Sequence, residues 1–176
     1  ANGHRLVSLD TENGEYTATV EKGKKAEKTA CAPSQENASI VVFSGDLDKA
    51  LAAMIIAQGA AAEGKKVTVF FTFWGLNAIR KPSKVKVKKN FIEKMFGAMM
   101  PRGAARLPLS SMNMLGIGPK MIKRIMKEHN VDDVETMIKK AMAEGVRFVA
   151  CTMSMDLMGI KKEELIEGVE LGGVAT

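Results

Sequence analysis

The sequence predicts an α/β domain built on a parallel sheet covered by helices, with a β-hairpin ahead of it. Residues 38–43 and 66–71 are apolar on both faces and flank a helical pattern, which gives the order strand, helix, strand with short connections. Runs of that kind fit strands packed between helices better than a half-exposed antiparallel sheet. The hairpin rests on alternating polarity over residues 4–22, interrupted by Asn13-Gly14. Both residues of that pair tolerate the positive φ angles of a type I′ turn.

Residues 1–23 hold the hairpin, which is marginally stable in water by itself and is expected to pack on something or to be the remnant of a larger unit. Residues 24–37 are polar and lysine-rich, with Pro33 and no periodicity, and read as a linker to a domain over residues 38–176. The first domain strand ends at Ser44-Gly45-Asp46. Leu47, Leu51, Met54, Ile55 and Gln58 then fall on neighbouring turns of a helix closed by Gly64. After the second strand and Trp74 comes a basic stretch, 80–89, and then a helix with Phe91, Ile92, Met95, Phe96 and Met99 on one face, stopped by Pro101. Residues 102–118 lack a period and predict a long apolar loop, a class of segment usually engaged in function or contacts. Pro119 is expected at the first position of a helix with Met121, Ile122, Ile125 and Met126 on its apolar face. Asn130 is expected to cap the next helix, with Asp133 in its first turn and Gly145 at its end. A strand over 146–150 terminates in Cys151. Beyond it, Thr152-Met153-Ser154 offers helix caps, 161–167 predicts a last short helix, and 169–174 an edge strand.

At 176 residues the chain has room for one full domain plus an appendage. Its most apolar helical stretch, 50–62, is too short to span a bilayer and is interrupted by Gln58 and Gly59, so a soluble, cytoplasmic protein is expected. The opening Ala1-Asn2-Gly3-His4 has neither an initiator methionine nor the features of a secretory signal, which predicts a chain that begins inside a longer protein. Two cysteines, Cys31 and Cys151, are too few for a disulfide framework, and reduced thiols are expected. The formal net charge is +6, and because residues 1–37 hold five basic and six acidic side chains, the basicity belongs to the remainder. Thirteen methionines stand against one tryptophan and one tyrosine; flexible thioethers line irregular cores and adaptable contact surfaces.

Cys151 is the position with the strongest claim to chemistry. Open α/β sheets place reacting groups at the carboxyl ends of strands, where the next helix begins. Backbone N–H groups at a helix start favour an anion, so a thiolate there is stabilised and can hold sulfur as an anionic persulfide. Position alone leaves a second reading open, in which Cys151 is a small buried hydrophobe that ends a strand. Other cysteine chemistries fail on the local sequence. There is no Cys-x-x-Cys for a dithiol; Phe148 stands where a peroxiredoxin-type site needs a hydroxyl; Leu157 occupies the arginine position of a rhodanese loop.

The segment Cys151-Thr152-Met153-Ser154-Met155-Asp156-Leu157-Met158-Gly159-Ile160, preceded by Val146-Arg147-Phe148-Val149-Ala150, resembles the cysteine motif of DsrE/DsrF-like proteins, above all the DsrE-like branch misnamed peroxiredoxin. The similarity extends to residues 40–49 and to Phe71-Thr72-Phe73-Trp74-Gly75, and so spans roughly residues 38–174. It implies a sulfur-relay role, homo- or hetero-oligomers, and a three-layer sandwich with a mainly parallel, about five-stranded sheet. It also implies that Cys151 is the sulfur-binding cysteine. A second resemblance lies ahead of the domain: residues 3–9 and 14–23 are similar to the last two strands of a TusA-like sulfur carrier. The Cys-Pro-x-Pro motif of that family is absent, so no carrier activity transfers to this fragment. A parent protein that fuses carrier and receiver would raise the effective concentration of their thiols.

The expected function is therefore a sulfur relay, a sulfurtransferase-like carrier with no cofactor and no metal, whose partners are sulfur-donor and sulfur-acceptor proteins of TusA-like or rhodanese-like type. Thr152 and Ser154 are expected to donate hydrogen bonds to the sulfur anion, and Gly45 to form a wall of the pocket. Cys31 reads as a bystander of the linker, with a resolving thiol as the alternative. His4 and His129 have no partners at ligand spacing. The basic tract 80–89 and the lysines after Pro119 read as a solvated face rather than a nucleic-acid site. The apolar face from Phe91 to Met99 exceeds what one helix layer covers, which points to a homo-oligomer and, more weakly, to peripheral membrane contact. Two alternatives remain at this level: an oligomeric or membrane-associated scaffold in which Cys151 is incidental, and a basic nucleic-acid-binding domain.

Overall fold

A computed structural model describes residues 5–12, 15–21 and 37–173. The chain divides into two compact units, Ala1–Ser34 and Gln35–Thr176. In the first, β1 (Arg5–Glu12) and β2 (Glu15–Glu21) pair antiparallel, with an irregularity between Leu6 and Ser8. The Asn13-Gly14 turn, most of the linker and Cys31 lie outside the described residues.

The second unit is an α/β fold with a four-stranded, wholly parallel sheet flanked by helices. Its strands, β3 (Asn37–Val42), β4 (Lys66–Phe71), β5 (Arg147–Cys151) and β6 (Val169–Gly172), lie side by side in chain order. The register sets Ile40, Val69, Phe148 and Val169 in one row, and Val42, Phe71, Ala150 and Leu171 in the next. Strand side chains alternate between faces, so these rows share one face. The helices α1 (Leu47–Ala62) and α4 (Val134–Ala143) contribute Leu47, Met54, Ala57, Ile138 and Ala141 to the same core. Phe71 and Phe148 stack there with ring centroids 5.5 Å apart. Ser39, Val41, Thr68, Phe70, Arg147 and Val149, on the opposite face, line a groove of about 400 Å³.

The fifth strand that the family resemblance implies is not among the described residues. After Phe71 the chain turns into a 3-10 segment, Phe73–Ile79, and among the described residues of this unit pairing beyond the sheet is one antiparallel bridge between Arg80 and Leu165. Three helix boundaries also differ from expectation. The helix α3 (Ile117–Glu128) begins two residues before Pro119, directly after Gly116 at φ +90°. Proline fits this third position because first-turn N–H groups have no intrahelical acceptor. Asp133, not Asn130, caps α4: Asp133 is extended and its carboxylate accepts from Thr136 N at 2.7 Å. Asn130 instead takes a left-handed conformation at φ +54°, which asparagine tolerates. The last helix expected over 161–167 shortens to one 3-10 turn, Lys162–Glu164. The irregular segment 102–118 holds two such turns, Ala104–Arg106 and Met114–Gly116.

The helix α2 (Phe91–Met99) forms where the sequence places it, closed at its start by a reciprocal cap between Asn90 and Glu93. Its apolar residues face outward: Phe91 is 83% and Met99 77% exposed, and only Gly97 is buried. No helix among the described residues is long and apolar enough to cross a membrane.

Candidate functional site

Cys151 is the last residue of β5 and the cap residue of α5 (Thr152–Met158). The helix ends at Gly159, whose φ of +63° suits a residue without a side chain. Cys151 is 1% exposed, and burial in apolar surroundings pushes a thiol toward its neutral form. Four groups oppose that. The hydroxyl and backbone N–H of Ser154, the hydroxyl of Thr72 and the backbone N–H of Met153 all favour the charged sulfur. None closes a regular cap bond to the thiol, yet together they prevail over burial, and the Cys151 pKa lies below the ordinary value of 9.0. Met153 and Ser154 are the second and third residues of α5, the positions whose N–H groups a cap residue ordinarily satisfies.

Thr72 reaches the sulfur because adjacent parallel strands end together. Phe71 pairs with Ala150, so the next residue of each strand, Thr72 and Cys151, stand side by side. Thr72 Oγ1 and Ser154 Oγ are 2.7 Å apart, a hydrogen bond in which either can be the donor, so one hydroxyl proton is engaged between them and the other is left for the sulfur. Three features fix Thr72. Its N–H donates to Val42 O at 3.0 Å, its carbonyl accepts from Gly75 N at 3.0 Å, and the following Phe73 is held at φ +44°. A left-handed phenylalanine is a strained conformation that the surrounding turn must enforce. Gly75 permits the turn, since a Cβ there would fall 2.0 Å from Val42 O. Phe73, Trp74 and Met153, the chain neighbours of this group, are exposed.

Among the residues expected from sequence, Ser154 is fully buried beside the sulfur. Thr152 directs its hydroxyl to Gly172 O at 3.4 Å, tying α5 to β6. Gly45 lies against Trp74, where an added Cβ would meet Trp74 O at 3.1 Å. With Ser44, Asp46, Trp74 and Asn77 it lines a cleft of about 340 Å³, so it meets the turn that carries Thr72 rather than the sulfur itself. Nothing in the local sequence around Thr72 marks it; the signal lies in its place, one residue past a strand predicted to run parallel to that of Cys151. Among the described residues no cluster of three metal-ligating side chains occurs.

Fold and thiol together define an α/β domain with a cysteine at the end of a central strand, buried yet drawn toward its anion by uncharged donors. The chain is a member of the DsrE/DsrF/DrsH-like family, whose family model matches residues 34–176. It is 57% identical over 137 residues to the uncharacterized protein YrkE of Bacillus subtilis (strain 168), covering 78% of this chain and 86% of that one. It is 34% identical over 145 residues to the sulfur carrier protein DsrE2 of Allochromatium vinosum, covering 80% and 89%. The ychN protein from E. coli superposes with a TM-score of 0.43 at 13% identity, covering 79% of this chain and 86% of that one.

Proposed function

We propose that the protein is a sulfur relay that accepts sulfane sulfur on Cys151 as a persulfide and passes it on. The observation that carries this reading is the thiol held toward its anion against burial by Ser154, Thr72 and Met153. Family membership and the 34% identity to a protein named as a sulfur carrier support it.

Loading is a displacement at sulfur. The Cys151 thiolate attacks the outer sulfur of a donor persulfide; the new S–S bond forms as the donor's S–S bond breaks, and the donor leaves as a thiolate. Unloading is the same step with an acceptor thiolate attacking the outer sulfur held on Cys151, which returns as a thiolate. No net oxidation occurs, and rates follow thiolate fraction and access. The uncharged donors around the sulfur suit this traffic because they stabilise a negative charge on either sulfur without a cation that binding would have to displace. With the residue 1% exposed, transfer requires the exposed rim of Phe73, Trp74 and Met153 to open for a partner.

The donor and acceptor are thiol proteins of TusA-like or rhodanese-like type, with the N-terminal hairpin, residues 1–23, as the remnant of a fused TusA-like domain, followed by a linker over 24–37 and the DsrE-like domain over 38–176. The outward apolar face of α2, which packs beside α5, is covered by a second copy of the chain in a cytoplasmic homo-oligomer. Intact mass after exposure to a persulfidated carrier tests the central reading. The parent and Cys31→Ser gain the mass of a sulfur atom and Cys151→Ser does not; a label retained in Cys151→Ser overturns it.

A further inference from the structure

A second buried polar site lies beyond the other end of α5. Glu164, with a side chain of zero exposure, is surrounded by three cations: Arg80 Nη2 at 3.2 Å, Arg102 Nη1 at 3.1 Å, and Lys89 Nζ in direct contact. The same carboxylate accepts the backbone N–H of Lys161 at 3.0 Å. The side chains of Arg80, Lys89 and Arg102 are 0%, 6% and 13% exposed. Three positive charges thus face one negative charge where water is nearly excluded. Arg80 Nη1 donates to the side-chain Oδ1 of Asn77 at 3.3 Å, and its Nε has no acceptor among the described residues. Lys89 Nζ and Arg102 Nη1 sit at ion-pair range of Glu164 without hydrogen-bond alignment.

One further carboxylate, Glu93, lines the same cavity and feels the charge of Lys89, so two carboxylates face the three cations and the lysines around them. Glu93 is engaged in addition by Asn90 N at 2.9 Å and by a fourth cation, Lys161 Nζ, at 3.1 Å, so positive charge stays in excess. A cavity of about 300 Å³ opens over the cluster, and Lys84, Lys86 and Lys94 add further positive charge to its lining. Its wall includes Gly97, in the middle of α2, where glycine is unfavourable by about 1 kcal/mol relative to alanine. A Cβ on Gly97 would stand 3.6 Å from Lys89 Nζ, 3.7 Å from Arg102 Nη2 and 4.0 Å from Arg80 Nη2. The missing side chain therefore leaves space at the tips of all three cations.

Buried charge without a counter-charge is costly, and guanidinium groups bind oxyanions through paired N–H donors. We propose that this cavity is a binding site for a small doubly charged tetrahedral oxyanion, of the sulfate, phosphate or thiosulfate class, held over Gly97 by Lys89 and Arg102, with the buried charge of Arg80 behind them. The site is distinct from Cys151 and stands whether or not that thiol carries sulfur.

Titration calorimetry and thermal unfolding of the full chain in sodium sulfate, phosphate or thiosulfate, each against sodium chloride at equal ionic strength, test it. A saturable heat and a higher Tm in at least one of the three oxyanions are expected. Lys89→Gln should weaken the binding roughly tenfold or more, the effect of losing a hydrogen bond to a charged group. Gly97→Glu places a carboxylate in the same space, so it should raise Tm in chloride and abolish the oxyanion response, while Cys151→Ser should retain it. Equal Tm in all the salts with no binding heat in the parent overturns the proposal, as does an oxyanion response that persists unchanged in Gly97→Glu.

Discussion

The segment from Cys151 to Glu164 ends in two buried ionisable groups that are managed in opposite ways. At Cys151 the anionic form of the thiol is favoured by hydroxyls and backbone N–H groups, with no cation among the groups that favour it. At Glu164 the groups are permanent ions, three positive around one negative. Neutral donors stabilise an anion without becoming a liability when it is protonated or transferred, whereas an ion whose partner leaves remains charged and buried. The difference separates a place where charge comes and goes from one where it is fixed into the fold.

Substitutions at each end sharpen the contrast. The largest effect expected is loss of all sulfur uptake in Cys151→Ser, read by intact mass, with folding stability little changed near neutral pH. Glu164→Gln should do the reverse. It leaves three buried cations unpaired and should destabilise by about 3–5 kcal/mol in chemical denaturation, the scale of breaking a buried ion pair. Sulfur uptake well below denaturing conditions should survive. Gly75→Ala forces the turn after Thr72 away from Val42 O and should cost about 1–3 kcal/mol, with slower uptake because Thr72 moves with it. Ser154→Ala removes one donor to the anion and should slow uptake at neutral pH by roughly tenfold. If Ser154→Ala instead leaves uptake and its pH profile unchanged, the neutral donors do not set the charge of Cys151 and the comparison fails.

A smaller effect distinguishes the ends by pH. The folded Cys151 pKa is depressed below 9.0, so its contribution to stability is full above the unfolded value and is lost as pH falls through the folded one. Stability should therefore rise with pH across that window. The rise should disappear in Cys151→Ser, as denaturation midpoints at a series of pH values will show.

Much of this was legible in the sequence where one pattern decided the outcome. The both-faces apolar runs placed β3 and β4, and the spacing from Phe91 to Met99 together with Pro101 placed α2. Helix starts were harder, because Asn130 and Asp133 are both good cap residues and only the turn geometry chooses between them. Ser154 could be anticipated at the sulfur from its place after Cys151; Thr72 required the pairing of two strands some eighty residues apart in sequence. The cluster around Glu164 was illegible for a similar reason. Arg80 and Lys89 read as a solvated basic tract, yet both turn inward to a carboxylate from the last 3-10 turn. Charge composition carries no information on which lysine or arginine finds a buried partner.

The most direct measurement is a pH titration of thiolate ultraviolet absorbance in the folded protein, taken as the difference between Cys31→Ser and the double variant Cys31→Ser with Cys151→Ser. Ionisation below the ordinary thiol range, shifted upward by Ser154→Ala, is the predicted result. A midpoint at or above that range would show burial outweighing the donors and leave Cys151 a neutral core residue.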